Sequence, residues 1–415
     1  MTETLIVMVT AFAGFLFTDP FFGGALTKAS IAKLPFLAMS FGAFTFHLVG
    51  RALTDPARLR KAAGEVLSAW WPLIALSLLI TAGSVYARFG DSVKENFLGM
   101  GLGMMFLPMM ALVVRSSRLS PGFMKSLAAV YVLMVVGMLA VLLSGTHVFH
   151  EEIFVAVPLG AYFLSARPLR FWQFVLGLAL VVACVYSVKN TTFLLVAATL
   201  AACAVVWAMR IKFTRDRLAL VTGLYFGIPL LLGTLFGLWM TWKHFKPDLP
   251  TGNVEYRTEM YGIAWRRFLD SPIWGTGFTD SSVHYFDLYR VALAVQNLPT
   301  HSDILDLLSH GGLIAMALWL ATLWTILRIS WAATRKVALA EPGSDMRAWR
   351  CLFVLALIEG GAVITYAVNP PLISPVHAFW VWGTAGLMWA LHRHLTDSVP
   401  VPAAVPRQAR KTAWA

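Results

Sequence analysis

The chain has 415 residues, 58% of them hydrophobic and 13% charged, with a mean hydropathy of +0.71. A soluble domain carries about 25% charged residues, so a disordered chain, a secreted disulfide scaffold and a soluble nucleic-acid binder are excluded, and a multi-spanning membrane protein is indicated. The net charge of +12 is then read as topology, because Lys and Arg collect in cytoplasmic loops.

A hydrocarbon core of about 30 Å takes about 20 apolar residues per helix, and that ruler predicts about twelve spans. In chain order they cover residues 4–26, 31–50, 67–87, 96–114, 123–143, 152–166, 169–188, 191–209, 217–242, 304–333, 349–368 and 371–392. The first has no basic stretch before it and is expected to be retained as a span rather than cleaved. The sixth is short and contains Pro158, which a membrane helix tolerates where neighbours satisfy the freed carbonyl. Cys184, Cys203 and Cys351 lie in apolar runs and read as small hydrophobes, not as a disulfide framework or a zinc site.

With the N-terminus placed in the cytoplasm, the even-numbered connections and the tail hold 22 of the 33 basic residues. The short odd-numbered connections hold Lys28, Lys33, Arg88, Lys94 and Lys189, and the last six fall in residues 243–303. That bias predicts both termini in the cytoplasm and the 243–303 segment on the opposite face. The chain thus divides into transmembrane helices 1–9 (1–242), an external loop domain (243–303), helices 10–12 (304–392) and a Pro/Ala-rich tail (393–415) that reads as disordered. The fold class is all-α: a polytopic helical bundle with one large external loop carrying short helices.

Loops of more than about 15 residues tend to be functional or disordered. The 243–303 loop is rich in aromatic residues and balances six basic with seven acidic residues, so it reads as a folded cap. Val254, Tyr261, Ala264, Trp265, Phe268 and Leu269 recur at helical spacing, which predicts an amphipathic helix on the membrane face of the cap. It should stop near Asp270, since Pro272 disfavours helix at Ser271. Arg257 on this helix is either a solvated or headgroup-facing charge or a clamp on phosphate oxygens, for which a planar guanidinium is suited.

Where the loop meets the tenth span, His301 falls at a helix N-terminus with Ser302 and Asp303 as possible caps. A helix N-terminus disfavours imidazolium, which keeps a His neutral and able to accept a proton; capping or packing is the other reading of His301. Lys189, in the short turn between spans seven and eight, reads as an interface anchor or as a contact to an anionic headgroup. Glu359 is an intramembrane carboxylate and so a functional candidate, or one half of an interhelical pair. Gly99, Gly101 and Gly103 lack the preceding strand of a nucleotide fingerprint and suit helix packing. His147 and His150 carry only a faint metal pattern, with no second His at zincin spacing after His150.

Two blocks together resemble the O-antigen ligase and O-antigen polymerase superfamily. One runs from Arg257 and Tyr261 to Pro272-Ile273-Trp274-Gly275-Thr276-Gly277; the other runs from His301 through Leu305 and Leu308 to Gly311. A third, Ser187-Val188-Lys189-Asn190, stands where the family commonly has Ser-Arg, with lysine in place of arginine. The resemblance implies a GT-C-like, metal-independent enzyme of the bacterial inner membrane that needs no cofactor. It would transfer a glycan, with inversion, from an undecaprenyl-diphosphate donor to an acceptor at the periplasmic face. It assigns Arg257 and Lys189 to the diphosphate, with Arg266 and Arg88 in reserve, and His301 as base or acceptor-orienting group. A single large external loop favours a ligase acting on lipid A-core over a polymerase extending the chain on its carrier. The rival from another class is a transporter or flippase of an anionic lipid or solute, which calls for paired broken helices and polar residues near the midplane.

Overall fold

The computed structural model describes residues 30–86, 94–117, 157–183, 190–211, 252–278, 283–285, 297–299, 302–339, 346–368 and 378–397. Helices dominate: α1 (Ser30–Thr54), α2 (Pro56–Tyr86), α3 (Lys94–Met104), α4 (Phe106–Ser116), α5 (Leu159–Leu164), α6 (Phe171–Ala183), α7 (Asn190–Arg210), α8 (Gly252–Asp270), α9 (Asp303–Leu339), α10 (Met346–Val368) and α11 (Thr384–Asp397). A π-helical turn, Phe379–Gly383, leads into α11. The 243–303 segment also holds a short antiparallel pair, β1 (Val283–Tyr285) with β2 (Asn297–Pro299), in the register Val283 to Pro299, His284 to Leu298 and Tyr285 to Asn297. The fold is helical as expected apart from this small pair, and three residues per strand are too few to leave a hydropathy pattern.

Among the described residues, four helical stretches are long and apolar enough to cross a membrane: Pro56–Val85, Phe97–Ser116, Phe193–Arg210 and Asp303–Leu339. The spans predicted at 4–26, 123–143 and 217–242, and the tail beyond residue 397, lie outside the described residues. Within the stretch 152–166, the described residues 157–166 hold a turn at Val157 and Pro158 followed by the six-residue helix α5. The stretch 96–114 is two helices that break at Met105. Pro108 accounts for the break, having no N–H to offer the Met104 carbonyl four residues back. Met105 bonds instead to Leu102 O at 3.1 Å, a tightened turn.

Local signals set the ends. Asp55 stands before Pro56 and its carboxylate accepts the Arg58 N–H at 3.2 Å, an N-cap followed by proline at the first helical position. Helix α9 packs against α2, α7, α8 and α10, while α11 packs against α4 and α10. Large aromatic side chains fill the centre: Trp70, Trp319, Trp382, Phe97 and Phe106 are fully buried. Trp319 meets Trp382 edge to face at 5.4 Å, and Phe106 meets Phe379 at 5.1 Å. The glycines of α3 serve close approach. A Cβ on Gly101 would lie 2.5 Å from Thr81 Oγ1, and Ser77 Oγ donates to the Gly101 carbonyl at 2.6 Å.

Arginines gather the helix ends on the face predicted to be cytoplasmic. Arg210 donates to the carbonyls of Ser165 (2.7 Å), Ala166 (3.0 Å) and Val337 (3.3 Å). Arg350 donates to Tyr162 O and lies over the Tyr162 ring at 4.0 Å. These donors satisfy carbonyls that the short helix α5 leaves without intrahelical partners. Arg115 binds Glu65 through Nε (2.6 Å) and Nη2 (3.2 Å) and also pairs with Asp397, joining α2, α4 and α11.

Candidate active site

Helix α8 stops at Asp270, as Pro272 predicts, and residues 271–278 run on as a strap across α9. Helix α9 is broken where the strap crosses it: Gly312 has φ +59 and ψ −157. In an unbroken helix, the N–H groups of Leu313 and Ile314 would bond to the carbonyls of Ser309 and His310. The break frees all four groups, and the strap takes each of them. Leu313 N donates to Pro272 O (2.9 Å) and Ile314 N to Ile273 O (3.3 Å). In return, Thr276 N donates to Ser309 O (3.0 Å) and Gly277 N to His310 O (2.8 Å). A helix broken among buried residues needs this complete exchange, because buried backbone N–H and C=O groups must find partners.

The exchange explains the glycines of both blocks. A Cβ on Gly275, which has φ +68, would fall 2.3 Å from the His310 carbonyl carbon, and one on Gly312 would fall 2.5 Å from Ile273 O. Backbone presses on backbone, so no side chain fits between them. The Pro-Ile-Trp-Gly-Thr-Gly run and the Gly311-Gly312 pair, 35 residues apart in sequence, are two halves of one clasp.

His310 completes it. Its ring is fully buried, its Nδ1 donates to the Gly277 carbonyl at 3.0 Å, and it packs on Phe97 (4.7 Å) and Phe278 (6.2 Å). Phe278 also lies against Gly83, where a Cβ would be 2.9 Å from the Phe278 Cβ. The clasp is thereby tied to α2 and α3 as well. No local motif marks His310, because its partners Gly277, Phe278 and Phe97 are distant in sequence.

At the N-terminal end of α9, Ser302 is the N-cap: its Oγ accepts the Leu305 N–H at 3.3 Å. Of the two caps expected, Ser302 fills the position and Asp303 becomes the first helical residue. Asp303 and Asp306 are both fully buried, one turn apart, in the first turn of α9. Carboxylates there are favoured by the helix dipole. Asp306 was missed by sequence reading, although an acidic i, i+3 pair after a Ser cap is a visible signal.

Of the predicted site residues, Arg266 is exposed on α8. Arg257 lies on the same helix, and its backbone alone is described. His301, Lys189 and Arg88 lie outside the described residues. What is brought together is the two blocks that carry Arg257 and His301, since the strap fastens the end of α8 to the N-terminal third of α9. The apolar residues of α8 divide between two faces. Met260 and Ala264 are buried, whereas Trp265 and Leu269 are exposed. Glu359, on α10, is buried, with its Oε1 making no hydrogen bond among the described residues.

Apolar helices of membrane-spanning length, one of them broken and re-satisfied by a glycine-rich strap, define a polytopic membrane protein with an interlocked loop segment. A family model described as O-antigen ligase matches residues 97–320, just over half of the chain. The chain belongs to the O-antigen ligase family, as the two sequence blocks led one to expect, and with it to the glycosyltransferase-like enzymes of lipopolysaccharide biosynthesis. The matched region holds α3 to α8, the strap and the N-terminal half of α9. No curated protein matches the chain.

Proposed function

We propose that the chain transfers a glycan from undecaprenyl diphosphate to a hydroxyl of lipid A-core at the periplasmic face of the bacterial inner membrane. The observation that carries this reading is the clasp. The block with Arg257 and the block with His301 belong to one fastened unit, within the region matched by the family model. A glycosyl diphosphate already has a good leaving group, so the protein must chiefly stabilise its departing charge and align the acceptor. In this reading Arg257 and Lys189 hold the diphosphate, with Arg266 and Arg88 as further cations, and no metal takes part. His301, the residue before the Ser302 cap, accepts the proton of the attacking hydroxyl while the anomeric C–O bond to the diphosphate breaks.

The test is to incubate purified protein with a lipid-linked glycan and lipid A-core and to look for the joined product. Chain extension on the lipid carrier instead would make the protein a polymerase. His301→Ala should lose about 10²–10⁴-fold in transfer rate, with insertion into the membrane unchanged; undiminished transfer by that variant would remove the role given to His301.

A further inference from the structure

Helix α9 has 37 residues and is about 55 Å long, nearly twice a bilayer core of about 30 Å. Its exposed residues show which part meets lipid. Leu313, Ala317, Leu320 and Trp324 form one stripe that ends at the exposed Arg328. Measured outward from Arg328, a core of about 30 Å takes about 20 residues and ends near Leu308. Yet none of the residues from Asp303 to Gly312 is exposed. Over the last 7 Å or so of the core, by the same rise per residue, the bilayer is therefore met by some element other than α9.

The strap lies in that position. Its bonds from Pro272 and Ile273 to Leu313 and Ile314 set Ile273 at the upper end of the α9 stripe. Ile273, Trp274, Leu269 and Trp265 are all large, apolar and exposed, Trp274 at 70%. Leu269 and Trp265 stand one turn apart on α8, which puts them on one face. Arg266 and Asp270 are exposed beside them. A group of this kind in water would be an exposed apolar patch calling for a partner. Here it continues a lipid-facing stripe, and tryptophan beside charged residues is characteristic of the membrane–water boundary.

We infer that Ile273, Trp274, Leu269 and Trp265 seat the strap and the end of α8 in the bilayer leaflet opposite Arg328, where they pack on lipid acyl chains and complete the lipid-facing wall that α9 leaves open. Arg266 lies at headgroup level in this arrangement. The clasp is then a membrane-embedded element, and the N-terminus of α9 emerges at the depth where a lipid-linked diphosphate sits. The inference rests on α9 as a span and not on the transfer reaction, so a protein inactive in glycan transfer leaves it standing.

The experiment uses the full-length protein in phosphatidylethanolamine–phosphatidylglycerol vesicles, with Cys184, Cys203 and Cys351 replaced by alanine. A nitroxide is placed singly through Trp274→Cys, Ile273→Cys or Leu269→Cys, with Leu320→Cys and Arg266→Cys as depth markers. Collisions with oxygen should exceed those with a water-soluble nickel complex several-fold at positions 269, 273 and 274, at depths between those of 320 and 266. Nickel collisions dominating at all three positions would show the patch to be in water. Exclusion of both reagents would show it covered by protein. Either result overturns the inference. Ile273→Cys and Leu269→Cys remove less volume than Trp274→Cys and report on the same surface, so failure of one variant to fold still leaves a decisive measurement.

Discussion

Gly275 has no room for a methyl group: the added carbon would fall within 2.3 Å of the His310 carbonyl carbon, at a φ of +68 that side chains disfavour. Gly275→Ala should therefore cost more than about 1 kcal/mol from the backbone alone, with the displaced strap adding to it. Gly262, on α8, has nothing within 4 Å of its would-be Cβ, so Gly262→Ala should be neutral or stabilising by up to about 1 kcal/mol. Thermal unfolding of the purified protein in detergent, followed by circular dichroism, separates the two; equal melting temperatures would contradict the clasp. At His310, phenylalanine would preserve the packing on Phe97 and Phe278 but strand the Gly277 carbonyl, at a cost of about 1–3 kcal/mol. His310→Ala would lose the packing as well, so its melting temperature should fall below that of His310→Phe. The two blocks were legible as motifs, and the turn at Pro272 was legible as a helix stop. That the glycines of one block close on those of the other was not, because a forbidden Cβ contact between residues 35 positions apart is a tertiary fact.

Helix α5 shows how an element too short to stand alone is held in place. Six residues cannot repay the cost of nucleating a helix, and the carbonyls at its end have no partners within it. Arg210 supplies donors to Ser165 and Ala166 and reaches Val337 of α9 as well. Arg210→Met should destabilise the fold by about 1–3 kcal/mol through those stranded carbonyls. Arg210→Lys should recover only part, since an ammonium lacks the guanidinium fork. The readout is again the unfolding midpoint, and a Met variant as stable as the parent would show that water serves those carbonyls equally well. Element existence was largely legible: α2, α7, α9 and α10 stand where apolar runs of span length predicted them. Breaks inside apolar runs were not. Hydropathy does not mark the interruption at Met105, where both sides are apolar, and at Gly312 it shows only a more polar first stretch, not a break, although Pro108 and the Gly311-Gly312 pair were local signs of each.

At the scale of the whole molecule, the question is which way the bundle faces. The arginines that hold helix ends, Arg115, Arg210 and Arg350, are three of the basic residues that the sequence assigns to the cytoplasmic side. Arg328, Arg335 and Lys336, all exposed at the far end of α9 from the clasp, carry the same assignment. The clasp and the Ser302 cap lie at the other end of α9, so one helix separates the basic face from the candidate site. This fixes a testable orientation. In the background with Cys184, Cys203 and Cys351 replaced, Gly343→Cys lies in the connection between α9 and α10, and Ser282→Cys lies beside β1. A membrane-impermeant maleimide added to intact spheroplasts should label Ser282→Cys at once and should label Gly343→Cys only after the membrane is opened. The reverse pattern would put the clasp in the cytoplasm, where a glycan presented on the outer leaflet could not reach it, and the proposed transfer would fail with the topology. Labelling of both sites in sealed cells would mean that α9 does not cross the bilayer, and the lipid-facing role of the strap would fall with it.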